Sequence, residues 1–419
     1  AAAALHMQRE RWSDAADALQ RVKAPDAQQT LHLNLCRNLA SLRTHRPEIY
    51  RTIADADVAD AYRIHATRSG APTIATERNG KLVMLAGGDD PRAGAMKVVD
   101  QLKPSIVRGD ALALCSIGDG YVIQAITMAS QPLFLGRRQA IFLFEPDPRL
   151  VLACMLIHDL TGPDGPIERD HVLWFVDPRW AEQFRVAVMT DRFLPFPQIT
   201  IKLGIDPKPM EQALQQALGE LSKQDGAALA EIRRHYDGLG ADHFALACAG
   251  QLSRSPRVLL LTTRFSTVLQ FSTQDAADAF RQMGWEAQVM IEPTPHHALT
   301  RVGMRRVLAE FKPDLVFQID HSRFEHGDLF PRQIPFVNWI QDLLPHLMTP
   351  QTGRQMGGRD FALTPSLQRW VDEFAYPRRQ CLEFRKLTRI PARPISWQSN
   401  GQHVVYVSNW SQKPEQIRD

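Results

Sequence analysis

No run in this sequence is long and apolar enough to cross a bilayer. The longest, such as Leu150–Ile157, stop far short of the roughly 18 residues that a span needs. Charge of one sign is also missing. The chain has 49 Lys and Arg against 46 Asp and Glu, a net charge of +3, too mild for the basic surface that nucleic acid selects. The five cysteines (Cys36, Cys115, Cys154, Cys248 and Cys381) form no C-x-x-C pair, which excludes a zinc ribbon and a disulfide scaffold. Most sit in apolar runs and read as reduced core thiols of a cytoplasmic protein. The start is Ala-rich but soon charged, so no signal peptide is expected. What remains is a soluble globular chain of 419 residues, 44% hydrophobic and 23% charged, long enough for roughly two to four domains.

Five segments follow from the patterning. Residues 1–70 read as helical, with short patterns at Ala1–Arg11 and Ser13–Val22 and Ser13 or Asp14 as a cap. Residues 72–205 read as an α/β domain. It opens with a hairpin over Pro72–Leu85 about Asn79-Gly80 and a helix that starts at Asp90-Pro91 with Met96, Val99 and Leu102 on its apolar face. Buried strands follow at Ala111–Ile117, Ala140–Phe144 and Val172–Val176, with helices at Tyr121–Ala129 and Val151–Leu160. Residues 206–255 are a helical connector, carrying Met210, Leu214, Leu218 and Leu221 on one stripe. Residues 256–402 form a second α/β domain. Its strands are Arg257–Thr262, Glu286–Ile291, Leu315–Ile319, Phe336–Ile340 and Phe361–Thr364, with helices at Ala276–Met283 and Leu299–Phe311, the first capped by Ser272-Thr273. Residues 403–419 hold one more strand, His403–Val407, and a helix start. Strands alternating with helices predict parallel sheets covered on both faces: an α/β chain of two Rossmann-like, doubly wound domains with a helical start and connector.

In open parallel sheets, ligands bind beyond the carboxyl ends of the strands. That rule selects three loops of the second domain. Thr263-Arg264-Phe265-Ser266-Thr267 leads into a helix, where free N–H groups favour an anion and Arg264 adds a cation. Asp320-His321-Ser322-Arg323-Phe324-Glu325-His326 and Gln341-Asp342 end the next two strands. Asp320, His321, Glu325 and His326 are of types that suit zinc. They lie in one loop with no distant partner identified, so no metal is expected. His296-His297, beside prolines, reads as a solvated turn. In the first domain, Gly118-Asp119-Gly120-Tyr121 turns a strand into a helix, and Glu145 ends the next strand, where an acidic residue can take ribose hydroxyls.

Three resemblances attach to these residues. Arg11–Leu19 resembles the middle of a tetratricopeptide repeat, either within an array or as an ordinary helical hairpin. Gly118–Tyr121 with Phe142–Asp147 resembles methyltransferase and dinucleotide-binding openings. It is more similar to the motility-accessory-factor group, glycosyltransferases that modify flagellin, though the tyrosine and serine that this group has near Gly87–Pro91 are absent here. That likeness implies nucleotide contacts at Gly118, Asp119, Gly120, Tyr121, Glu145 and Asp147. Val258–Thr267, Lys312–His321 and Pro335–Asp342, ending in Trp339-Ile340-Gln341-Asp342, resemble the amino-terminal half of GT-B glycosyltransferases of the spore-maturation type. Val405–Asn409 is similar to the first strand of their donor half.

The GT-B resemblance implies a nucleotide-sugar co-substrate, no other cofactor, no metal, and a protein or glycan acceptor. His321 or Asp342 would be the base. Thr263, Arg264, Ser266, Thr267, Asp320, Arg323, Glu325 and Gln341 would contact substrate, with a surface salt bridge to Glu325 or Asp328 the other reading of Arg264 and Arg323. On this view residues 403–419 open a donor domain that the chain carries only in part. A methyltransferase seated at Gly118–Gly120 and Glu145, and a non-enzymatic scaffold, are the alternatives.

Overall fold

The computed structural model describes residues 7, 10–21, 26–54, 56, 61–86, 89–203, 207–240 and 242–384. The expected first helix, the glycines at 87–88 and the strand and helix start within 403–419 lie largely or wholly outside them.

Three helices open the described chain: α1 (Trp12–Gln20), α2 (Ala27–His45) and α3 (Pro47–Ile53). The expected Ser13 or Asp14 cap is not made; Arg11 stands at the N-cap of α1, where its side chain pairs with Asp14 instead of capping the helix. Asp26 caps α2 in a reciprocal pair with Gln29. Ala15, Ala16 and Leu19 of α1 pack on Cys36 of α2, while Asn38 of α2 donates to the carbonyls of Met155 and His158 and accepts from Leu160 N–H. The helical start thus docks on the first α/β region. A strand that the sequence reading missed, β1 (Arg63–Ala66), pairs antiparallel with β2 (Pro72–Arg78), which turns through Asn79-Gly80 into β3 (Lys81–Met84).

The first parallel sheet follows: α4 (Pro91–Arg108), β4 (Leu112–Cys115), α5 (Tyr121–Ala129), β5 (Ile141–Glu145), α6 (Pro148–Ile157), β6 (Val172–Val176), α7 (Trp180–Thr190) and β7 (Ile199–Lys202). Its strand order is β6-β5-β4-β7. Asp90 caps α4 as expected, but Met96 points to solvent and the buried face is Ala95, Val99 and Ile106. Alternation along the strands feeds two cores. Leu112, Leu114, Ile141 and Leu143 face helices α2, α3, α5 and α6. Ala113, Cys115, Phe142 and Phe144 face α7 and the next helix.

That helix, α8 (Lys208–Asp237), is followed by α9 (His243–Cys248). Met210, Leu214 and Ala217 of α8 lie in the core of the first sheet; Ile232 and Tyr236, near its other end, lie in the core of the second. Leu218, expected on the buried stripe, is exposed.

The second sheet contains β8 (Arg257–Leu261), α10 (Leu269–Gln282), β9 (Glu286–Met290), α11 (Arg301–Phe311), β10 (Leu315–Ile319), β11 (Phe336–Trp339), α12 (Pro350–Arg354), β12 (Asp360–Thr364), α13 (Leu367–Asp372) and β13 (Cys381–Glu383). All six strands are parallel, in the order β13-β12-β11-β10-β8-β9. Helix α10 starts earlier than expected, so Ser272 and Thr273 are buried inside it rather than capping it. Cores cover both faces of this sheet too.

Both sheets belong to one compact unit. The loop after α7 meets the loop before α11: Asp191 pairs with His297 at 2.9 Å, and Thr300 Oγ1 donates to the Arg192 carbonyl at 3.1 Å. His296 and His297 are therefore buried in this seam, not solvated. Among the described residues no helix is long and apolar enough to cross a membrane.

Candidate functional site

The glycine turn of the first sheet is built against the chain itself. Gly118 and Gly120 have positive φ (61° and 89°). A Cβ on Gly120 would stand 2.6 Å from His158 Cδ2, and one on Gly118 would stand 3.4 Å from Leu203 Cβ. Strand β2 covers the turn: Asp119 Oδ2 accepts from Thr73 Oγ1 at 3.1 Å, and Tyr121 OH donates to the Pro72 carbonyl. Glu145 is fully buried and accepts from Ser116 Oγ, Ile117 N–H and Asp147 N–H at 2.7–3.0 Å. Burial pushes its carboxyl up to about 6 despite those donors. Asp147 caps α6, pairs with Arg149 and accepts from Tyr62 OH. The close backbone approach that the glycines allow is made by a histidine and a leucine of this chain. The residues expected to hold a nucleotide spend their polar atoms on the fold.

Both sheets reverse their strand order, the first between β4 and β7 and the second between β8 and β10, one strand from the loops of interest after β10 and β11. The crevice outside such a reversal, at the carboxyl ends of the strands, is where an open sheet receives ligands. The loop after β10 begins with Asp320, which has φ 58°, a left-handed conformation that Asp tolerates better than most side chains. Fully buried, Asp320 accepts the N–H groups of Gln341 and Asp342 on Oδ1, at 2.7 and 3.1 Å. This ties the ends of β10 and β11 together. Its Oδ2 is buried with no hydrogen-bond partner, as are both amide atoms of Gln341. Burial raises the Asp320 carboxyl against the pull of the two N–H donors.

Beyond Asp320, Ser322 opens a short 3-10 turn over Arg323–His326. Its N–H and hydroxyl both donate to Glu325 Oε1 at 2.8 Å. Glu325 Oε2 accepts from His321 Nδ1 at 2.7 Å. Burial works to raise the Glu325 carboxyl, but the His321 and Ser322 donors prevail and hold it at about 2, a firm anion. His346, from the loop after β11, completes the group. Its Nε2 lies 3.8 Å from Glu325 Oε1 and 3.3 Å from the Asp320 carbonyl. One ligand atom from each of His321, Glu325 and His346 lies within 4.8 Å of the others. His346 is the distant partner that the sequence reading did not identify; its only signal was a histidine four residues after Asp342 at a strand end.

Several expected members are placed elsewhere. His326 turns inward to Gln318 Oε1. Arg323 is a correction: its guanidinium is buried against the Asp360 carboxylate and the carbonyls of Pro331 and Ile334, not Glu325 or Asp328, so it braces the loop. Arg264 donates to the carbonyls of Glu292 and Pro293, while its N–H and the Thr263 hydroxyl go to the Glu292 carboxylate. Ser266 Oγ accepts from Gln270 N–H in the first turn of α10, and Thr267 is exposed beside it. Asp342 is half-buried at the end of β11.

The arrangement joins an imidazole, oriented by an ionised carboxylate, to a second imidazole on the solvent side of a strand-end crevice. Such a group can accept a proton or hold a cation. No protein-family model, no curated protein and no solved structure matches the chain.

Proposed function

We propose that the chain is a glycosyltransferase of GT-B type. It moves a sugar from a nucleotide-sugar donor to a hydroxyl of a protein or glycan acceptor, with the second sheet as the acceptor-side Rossmann-like domain. The observation that carries the reading is the 2.7 Å bond from His321 Nδ1 to Glu325 at the carboxyl end of β10. That bond fixes the tautomer, leaving Nε2 to accept the acceptor's hydroxyl proton. As the new C1–O bond forms and the bond from C1 to the diphosphate breaks, the imidazolium that develops is stabilised by Glu325. The nucleoside diphosphate leaves toward the donor half, expected from residue 403 onward. Asp342 is the second candidate base. The strand order β6-β5-β4-β7 supports a Rossmann-like reading of the first domain, and the buried Gly118–Glu145 turn favours a supporting role there over a methyltransferase site.

The test is nucleoside diphosphate release from a panel of nucleotide sugars. His321→Ala is expected to lower turnover at least about 100-fold, the usual contribution of a general base, with donor affinity kept. Glu325→Gln should lower it less. Release unchanged in both variants sinks the reading, and a response to S-adenosylmethionine instead of nucleotide sugars would replace it.

A further inference from the structure

We infer that His321, Glu325 and His346 form a binding site for a zinc-like transition-metal ion. The three ligand atoms converge within 4.8 Å, and they come from two different loops. Two imidazole nitrogens and one carboxylate oxygen are the donor set that Zn²⁺ and its neighbours accept; Mg²⁺ and Ca²⁺ prefer oxygen alone. In the arrangement described above, the Glu325 carboxylate stands between two imidazoles, at 2.7 Å from His321 Nδ1 and 3.8 Å from His346 Nε2. A hydrogen bond holds His321 to Glu325, and His346 lies beside the carboxylate without one. A divalent ion takes the Nδ1 lone pair of His321 once its proton has moved to Nε2, so that the imidazole binds as a neutral ligand.

The supports are rigid, as a metal site requires. The Ser322 N–H and hydroxyl hold Glu325 Oε1. Asp320 ties the two loops at their roots. After His346, the Thr352 hydroxyl donates to its carbonyl, and Tyr376 OH donates to the carbonyl of the buried Leu347. The Oδ2 of fully buried Asp320, the residue before His321, has no hydrogen-bond partner. The outer side is open, with the side chains of His321 and His346 42% and 43% exposed, so an ion held by three protein ligands keeps a position for water or substrate.

Binding needs only the three side chains and does not rest on glycosyl transfer. Where transfer occurs, the ion holds the nitrogen whose proton orients the base, so Zn²⁺ is expected to suppress turnover that a chelator restores.

The experiment uses the full chain, stripped with chelator and titrated with Zn²⁺ alone, Co²⁺ alone and Mg²⁺ alone. One equivalent of Zn²⁺ is expected, with a visible Co²⁺ spectrum of tetrahedral type, a higher Tm with Zn²⁺ and no response to Mg²⁺. His321→Gln, Glu325→Gln and His346→Gln should each weaken Zn²⁺ binding at least about tenfold and abolish the Tm shift, with circular dichroism confirming that they are folded. His45→Gln, on an exposed helix end, should bind as the parent does. No uptake by the parent, or equal uptake by folded variants, overturns the site. Because uptake is read without nucleotide sugar, failure of the metal site and failure of the transfer reading remain distinguishable.

Discussion

His158 fills the space in front of Gly120. A Cβ built on that glycine would stand 2.6 Å from His158 Cδ2, and His158 Nε2 lies 2.7 Å from the Asp119 carbonyl. Gly120→Ala should therefore act on folding. The substitution meets a φ of 89° as well as the ring, and at least about 2 kcal/mol of destabilisation is expected. Urea unfolding of parent and variant measures it. Equal midpoints would mean that the ring moves aside at no cost.

The same histidine gives the chain a dependence on acid. Burial lowers His158 to about 4, and burial with the neighbouring His297 lowers His296 to about 4. A group whose folded value is depressed stabilises the fold above its unfolded value, near 6.5, and loses that contribution as pH falls toward 4. For His158 the ceiling is about 3 kcal/mol. Glu145, raised to about 6, acts the other way: its contribution is full below its unfolded value and is lost as pH rises through 6. His326, lowered to about 4 by burial, acts with these two histidines, while burial also raises the Asp119 and Asp320 carboxyls on the side of Glu145. With the three histidines the larger contributions, a net fall in stability from pH 7 to pH 4.5 is expected, followed by urea midpoints at several pH values. His158→Gln should flatten the slope; a parent curve that rises on acidification would contradict this balance.

The seam between the sheets makes a third prediction. A Cβ on Gly303, in the first turn of α11, would run into the Arg192 carbonyl. Gly303→Val should push the two loops apart and expose His297 and Asp191. The parent is expected to melt in one transition and the variant in two, seen by calorimetry. A single unshifted transition in the variant would show that the seam does not couple the halves.

Much of the fold was legible because its strands are buried on both faces. Runs such as Leu315–Ile319 and Val172–Val176 are almost wholly apolar and are bounded by polar residues, Asp314 and Asp320 in one case and His171 and Asp177 in the other, and both match the structure. Short edge strands were not legible: β1, with mostly exposed residues, and β13, three residues long, carry too little pattern. Met96 and Leu218 were misplaced because helical spacing gives a face but not the width of what covers it.

At the candidate site, the sequence marked the loop carrying His321 and Glu325, since strand ends follow from strand positions. It could not reveal that Arg323 reaches Asp360, or that His346 swings back over Glu325. Both depend on how separate loops fold toward each other, which no local spacing encodes. The glycine turn misled for a related reason. A missing side chain signals close approach without saying what approaches.

Helix α8, 30 residues long and so about 45 Å from end to end, limits how the protein can be divided. Met210, Leu214 and Ala217 complete one core, while Ile232 and Tyr236 complete the other. A cut on either side of the helix takes part of the cover from one sheet, from the core around Phe144 and Trp180 in one case and around Leu259 and Phe336 in the other. Only a cut inside α8 near its middle would leave each sheet its own share. The halves are thus joined like two houses on a party wall, and fragments meant for separate expression should be bounded within that wall.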